Sequence, residues 1–242
     1  MSLSKNNIKL ITSLQQKKYR QKYKLFVAEG IKVVKELLAS NLIVNQVFCT
    51  DDSLIFEEAG AVTQISENEL KKISSLKTPN KVLALFEIPE SDLKVTNDFT
   101  VALDGINDPG NLGTIIRLCD WFGVQHLVCS KNTVDCYNSK VVQATMGSLT
   151  RVSICYTDLP EFLENSKLPK YTADMSGENV YSSDLPQKAI LVMGNEANGI
   201  SKEIDSIIKN QLTIPRFGNI QATESLNVAT ATAILLSEFK RR

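Results

Sequence analysis

The chain has one histidine, His126. Its five cysteines, Cys49, Cys119, Cys129, Cys136 and Cys155, are scattered, odd in number and never spaced as Cys-x-x-Cys. Zinc centres need clustered thiolate and imidazole ligands, and small secreted folds need paired cysteines, so the sequence speaks against both. Neither GxGxxG nor GxxxxGK(S/T) occurs, which removes the two common nucleotide fingerprints that cradle phosphates. No apolar stretch approaches the ~20 residues of a membrane span, and the first residues lack the apolar core of a signal peptide. A protein of the reduced cytoplasm, without a membrane partner, is expected. Net charge is missing as well: 27 Lys and Arg balance 27 Asp and Glu. Overall charge therefore points to no partner.

What is present is ordinary for a globular chain, 43% apolar and 22% charged over 242 residues, enough for one large domain or two small ones. Charge is uneven, however. From Met1 to Ala28 there are seven basic residues, Lys5, Lys9, Lys17, Lys18, Arg20, Lys22 and Lys24, and no acid. A basic arm on a neutral chain is either a nucleic-acid footprint or a solvated helix face.

Two parts follow along the chain. In the first, Ile8–Leu14 and Val27–Leu38 have helical spacing, the latter with Ile31, Val34, Leu37 and Leu38 on one face. Leu42–Thr50 and Lys81–Ile88 read as strands, and Ser66 with Glu69 three residues later predicts a capping-box helix start. The polar, proline-containing stretch Pro89–Asp98 reads as a linker. In the second part Phe99–Ile106, His126–Ser130, Lys170–Ser176, Ala189–Asn195 and Asn210–Arg216 read as strands. Helical segments at Pro109–Gly123, Ser139–Met146, Leu159–Asn165, Ser201–Lys209 and Leu226–Phe239 stand between or after them. Such alternation predicts an α/β fold with a parallel sheet covered on both faces, and ligands of such sheets bind beyond the carboxyl ends of the strands. The loops after Leu103, Met175, Met193 and Ile214 are the candidates.

Three of those loops carry patterned residues. "NDPGNLGTIIRLCDWFG" (Asn107–Gly123) opens a helix on Pro109 and Gly110 and puts Arg117 on what reads as its apolar side. "LVMGNEANGIS" places Glu196 between Asn195 and Asn198, just after Gly194. "IPRFG…SLNVATATAILLSE" runs from Ile214 into a helix of small residues. Each alone is weak: the glycines suit an ordinary strand–helix connection, Glu196 a solvated loop acid, Arg117 a structural salt bridge, and the small residues close packing.

Together and in this order, the three segments resemble the SpoU (TrmH-like) family of RNA 2′-O-ribose methyltransferases, within the SPOUT superfamily. The resemblance covers about Asp98 to Arg242. The basic N-terminal part resembles the substrate-binding domain of one branch of that family. It implies an N-terminal RNA substrate-binding domain over residues 1–92 and a methyltransferase domain over 98–242 with a deep trefoil knot. It implies S-adenosylmethionine (AdoMet) as cofactor, held by Met193, Gly194, Ile214, Ser225, Leu226 and Asn227. It also implies catalytic roles for Asn111, Arg117, Glu196, Ser225 and Asn227, and a homodimer with its sites at the interface. A pocket for an uncharged adenine needs backbone partners and apolar walls rather than a phosphate cradle, in keeping with the missing fingerprints. The loop from Gly218 to Ser225 is longer than the family pattern. A guanidinium does not deprotonate in proteins, so Arg117 is expected to clamp an RNA phosphate and stabilise developing charge rather than act as the base. Trp121 and Phe122 are expected in the core or at the dimer contact.

With the resemblance, Lys17, Lys18, Arg20, Lys22 and Lys24, interleaved with Tyr19 and Tyr23, are expected to bind RNA. The substrate is expected to be ribosomal RNA. Transfer RNA, a non-catalytic RNA-binding assembly factor of the same fold, and a dinucleotide-dependent oxidoreductase are the alternatives, the last disfavoured by the absent fingerprint.

Overall fold

The computed structural model describes residues 3–51, 62–90, 98–219 and 225–241. Most of the expected linker (91–97) and of the longer loop (220–224) lies outside them. The chain forms two compact units, one from Met1–Glu90 with Asp135–Thr150 and one from Ser91–Val134 with Arg151–Arg242. Asp135–Thr150 thus groups with the first unit although it lies within the second stretch of sequence.

The first unit contains α1 (Lys5–Ser13), α2 (Lys17–Tyr23), β1 (Leu25–Glu29), α3 (Ile31–Leu38), β2 (Val44–Cys49), β3 (Val62–Gln64), α4 (Glu67–Ile73) and β4 (Val82–Glu87). Its four strands lie in the order β1-β4-β2-β3. β1 corrects the helical reading of Val27–Glu29: all five of its residues are buried, so no alternation marks it as a strand. Gly30, at φ +87°, ends it before α3 begins. The capping box forms as expected. The Glu69 carboxylate accepts from the Ser66 N–H at 2.9 Å and its hydroxyl at 2.8 Å, and from the Leu3 N–H at 2.6 Å. Those backbone bonds hold its pKa down at about 2.

Arg20 corrects the reading of the basic arm. It is 2% exposed. Its Nε and Nη2 donate to Asp135 Oδ2 at 2.9 and 2.6 Å, and its Nη1 donates to the Leu14 and Gln15 carbonyls at 2.7 and 2.9 Å. Every bond is internal to the first unit, so Arg20 does not reach a phosphate. Lys17, Lys18, Lys22 and Lys24 are exposed.

The second unit contains β5 (Thr100–Asp104), α5 (Pro109–Trp121), β6 (His126–Ser130), β7 (Ser153–Thr157), α7 (Leu159–Asn165), β8 (Lys170–Asn179), β9 (Ile190–Gly194), α8 (Lys202–Ile207), β10 (Asn210–Thr213) and α9 (Val228–Lys240). α6 (Ser139–Thr145) falls in the Asp135–Thr150 segment of the first unit. The six strands run parallel in the order β10-β8-β9-β5-β6-β7. β7, a short edge strand, was not expected. Ala102, Val128, Ile190 and Val192 of the sheet pack with Leu159, Leu163, Ile204 and Ile208 in one core, while α5 packs with α9. Strand order reverses at β5, with β6 and β7 on one side and β9, β8 and β10 on the other. In open α/β sheets that switch point is where a crevice forms. Among the described residues no helix is long and apolar enough to cross a membrane, and no cluster of metal-ligating side chains occurs.

Candidate active site

The carboxyl ends of β5, β8, β9 and β10 enclose a cleft of about 1250 Å³. On the β5 side, Asp108 caps α5 by accepting the Asn111 N–H at 2.8 Å, and Pro109 occupies the first turn. The helix terminus is thus satisfied by its own chain, and Asn111 projects from the first turn.

On the β9 side the loop bearing Glu196 is closed on itself and pinned at both ends. Asn195 and Gly199 exchange backbone bonds of 2.8 and 2.9 Å. Asn195 Oδ1 accepts from the Ala197 and Asn198 N–H groups, and Asn195 Nδ2 donates to the Gly105 carbonyl at 2.6 Å. At the far end the Ser201 N–H donates to Asp104 Oδ2 at 2.7 Å. A Cβ on Gly194 would collide with the Gly199 carbonyl group. Only glycine lets the loop return this close.

Glu196 is thereby set against Asn111, whose Nδ2 donates to Glu196 Oε1 at 2.9 Å. Asn227 Nδ2 donates to Asn111 Oδ1 at 2.8 Å. Asn227 Oδ1 accepts from the Ala229 and Thr230 N–H groups and caps α9. The chain of bonds has one consistent direction. An ionised carboxylate only accepts, so Asn111 must turn its NH2 toward Glu196; its carbonyl then faces Asn227, and the Asn227 carbonyl faces the helix. Asn111 keeps one N–H and one lone pair for a ligand.

The cleft brings together Asn111, Met193, Gly194, Glu196, Ile214, Ser225, Leu226 and Asn227, all singled out from the sequence. It does not include Arg117. Arg117 is exposed, contrary to its apparent place on the apolar side of α5, where Leu112, Ile115, Ile116 and Cys119 are the buried side chains. It stands six residues after Asn111, about 9 Å along the helix and about 120° around it. One face of α5 cannot present both. Trp121 shares the outer stripe and is 84% exposed, which removes it from the core.

Sequence reasoning missed Ala173, Asp174 and Met175, which line the cleft from β8. They project there because the β8–β10 register jumps, with Gln211 opposite Thr172 but Leu212 opposite Glu178. Gly177 permits the jump, since a Cβ there would meet the Gln211 backbone at 2.5 Å. Asp174 accepts from the Ser176 hydroxyl at 2.5 Å and its N–H at 2.8 Å, which lowers its pKa. The sequence signals were the candidate loop after Met175 and the Gly177 that follows the predicted strand.

An all-parallel sheet with a cleft at its switch point, lined by a Glu–Asn–Asn relay, is the arrangement of an α/β ligand-binding domain. Residues 98–237 match the SpoU rRNA Methylase family and residues 5–84 the MRM3-like substrate binding domain; the chain belongs to the SpoU rRNA methylase family. It is 29% identical to RlmP of Bacillus subtilis (strain 168), a 23S rRNA (guanosine(2553)-2′-O)-methyltransferase, over 97% of this chain and 96% of that one. A solved TrmH-family structure from Porphyromonas gingivalis shares 39% identity at a TM-score of 0.88, over 99% of this chain and 98% of that one. An AdoMet-bound rRNA methyltransferase from Sinorhizobium meliloti shares 28% identity at a TM-score of 0.86, over 100% and 97%.

Proposed function

We propose that the protein is an AdoMet-dependent RNA methyltransferase acting on a ribose 2′-hydroxyl of ribosomal RNA. The observation that carries this reading is the Glu196–Asn111–Asn227 relay at the mouth of the cleft. The family match and the similarity to RlmP and to the AdoMet-bound S. meliloti structure support it.

The donor set of the cleft fits AdoMet. Asp108, Asp174 and Glu196 line it against a single cation, Arg216, among the described residues. Such a cleft repels a polyphosphate and suits a ligand with a sulfonium and an ammonium. Met193, Leu212, Ile214, Leu226, Val228 and Ala231 supply apolar wall, the setting an adenine ring needs. Bound AdoMet would supply an activated methyl group.

The remaining work falls to this chain. Glu196 fixes the Asn111 amide, whose spare N–H and lone pair orient the ribose hydroxyl. Ser225 and Asn227 extend the polar rim. Arg117 clamps a neighbouring phosphate with its planar fork and stabilises charge developing on the hydroxyl oxygen. Its own proton stays in place, so the hydroxyl proton leaves to a phosphate oxygen or to water.

Because Arg117 lies outside the cleft of its own chain, this reading brings it in from a second copy. A homodimer seated on the outer stripe of α5 covers Trp121 and makes each site composite. The four lysines of α2 and its C-cap, without Arg20, form the RNA-facing surface of the first unit. The family's trefoil knot belongs to the same reading. The reduced, buried thiols of all five cysteines suit the cytoplasm.

Mapping 2′-O-methyl positions in total RNA with and without the gene tests the assignment. Loss of one ribosomal site is expected; loss confined to transfer RNA, or no loss, rejects it. Calorimetric titration should show binding of AdoMet and none of NAD.

A further inference from the structure

The second unit exposes aromatic surface beside the cleft that methyl transfer itself does not need. Phe217 is 83% exposed and Tyr181 40% exposed. Their rings stack, with centroids 6.4 Å apart and planes 29° apart. Tyr181 follows β8 and is held by the Asn179 side chain, which accepts its N–H at 3.0 Å. Phe217 directly follows Arg216, which lines the cleft with Met175. Exposed apolar rings grouped together, unlike scattered single ones, mark a binding surface.

The occupant can be argued from size and charge. Two rings bury about 300–500 Å² at most, short of the roughly 800 Å² per partner that a stable protein interface needs. A planar, uncharged ligand of one base fits that area. Arg216, whose Nη2 donates to Met175 Sδ at 2.8 Å, places a cation one residue before Phe217, and surfaces that bind single-stranded nucleic acid likewise set cations beside aromatic rings. We infer that the Tyr181–Phe217 pair is a stacking platform for an unpaired base of the RNA substrate, next to the ribose presented to the cleft. The inference rests on the functional reading above and deepens it: the substrate is single-stranded at the target, where a base can be splayed from its neighbours.

The test measures methyl transfer into a ribosomal RNA fragment, AdoMet affinity by calorimetry and mass by sedimentation, for wild type, Phe217→Ala, Phe217→Trp and Tyr181→Ala. Phe217→Ala should raise KM for RNA about 5- to 150-fold, with AdoMet affinity and mass unchanged. Phe217→Trp, which keeps a ring, should restore most of it, and Tyr181→Ala should fall between. An unchanged KM in Phe217→Ala overturns the platform. A halved mass overturns it in favour of a second copy of the chain. A wild type that methylates no RNA overturns the functional reading itself, and the platform with it.

Discussion

α2 and α5 each carry one arginine, and the two meet opposite fates. Arg20 is enclosed, its guanidinium bound to one carboxylate and two carbonyls. Arg117 is exposed, and no ion pair engages it among the described residues. A buried cation that has all its partners organises a fold; a cation kept in water without partners is available to something else. The same side chain thus serves structure in one unit and, in the proposed function, chemistry in the other.

The largest expected effect is on the enclosed arginine. Arg20→Ala leaves Asp135 and two carbonyls without their donor, and breaking a buried pair from one side costs about 3–5 kcal/mol. Urea unfolding should show the shift in the transition of the first unit. Under conditions where the variant remains folded, its salt dependence of RNA binding should match wild type, since Arg20 meets no phosphate. A flattened salt slope would break the contrast.

Arg117→Ala should do the reverse. Stability should stay within about 0.5 kcal/mol, as for an exposed side chain. Methyl transfer should fall at least ~10²-fold, the scale for losing a partner of transition-state charge. Arg117→Lys should also be poor, because an ammonium lacks the bidentate fork; near wild-type transfer by that variant rejects the clamp.

Mixed dimers sharpen the point. Arg117→Ala and Asn111→Ala chains should each be inactive alone. Mixed one to one, they should recover about a quarter of the wild-type sites if every site takes its arginine from the second copy. No recovery places both residues in one chain's site. Trp121→Glu should give monomers and lose activity in step.

The two arginines also show what the sequence makes legible. The relay residues stand out because each lies in the loop or at the helix start that follows a strand, and the parallel sheet collects such segments at one end. Their joining depends on the sheet order, which residue spacing does not carry. Arg20 looks like its lysine neighbours because its partner, Asp135, lies 115 residues away. Arg117 directly follows Ile115 and Ile116, so the linear apolar run takes it in, yet one residue is a 100° turn on a helix. β1 escapes for the same reason as Arg20: burial from distant segments leaves no local period. The Ser66–Glu69 box was legible because all its partners except Leu3 are local.

The smallest expected effect concerns the exposed cations that remain on α2 and at its end. Lys18 lies 4.9 Å from the Tyr19 ring centroid and Lys22 5.3 Å from that of Tyr23, and the two rings stack at 6.3 Å. These lysines keep their charge at the surface, where a phosphate can reach it. Changing Lys18, Lys22 and Lys24 to Gln removes the charge and keeps most of each stem. RNA affinity should fall by roughly tenfold, similarly across sequences, because phosphates carry no base identity. The log–log salt slope should flatten by about 0.7–0.9 for each phosphate left without its lysine. AdoMet affinity should not move, because the cleft is built wholly within the second unit. Filter binding at several salt concentrations reads the slope directly. A slope equal to that of wild type would make α2 a solvated helix face, with Arg20 its one residue of consequence.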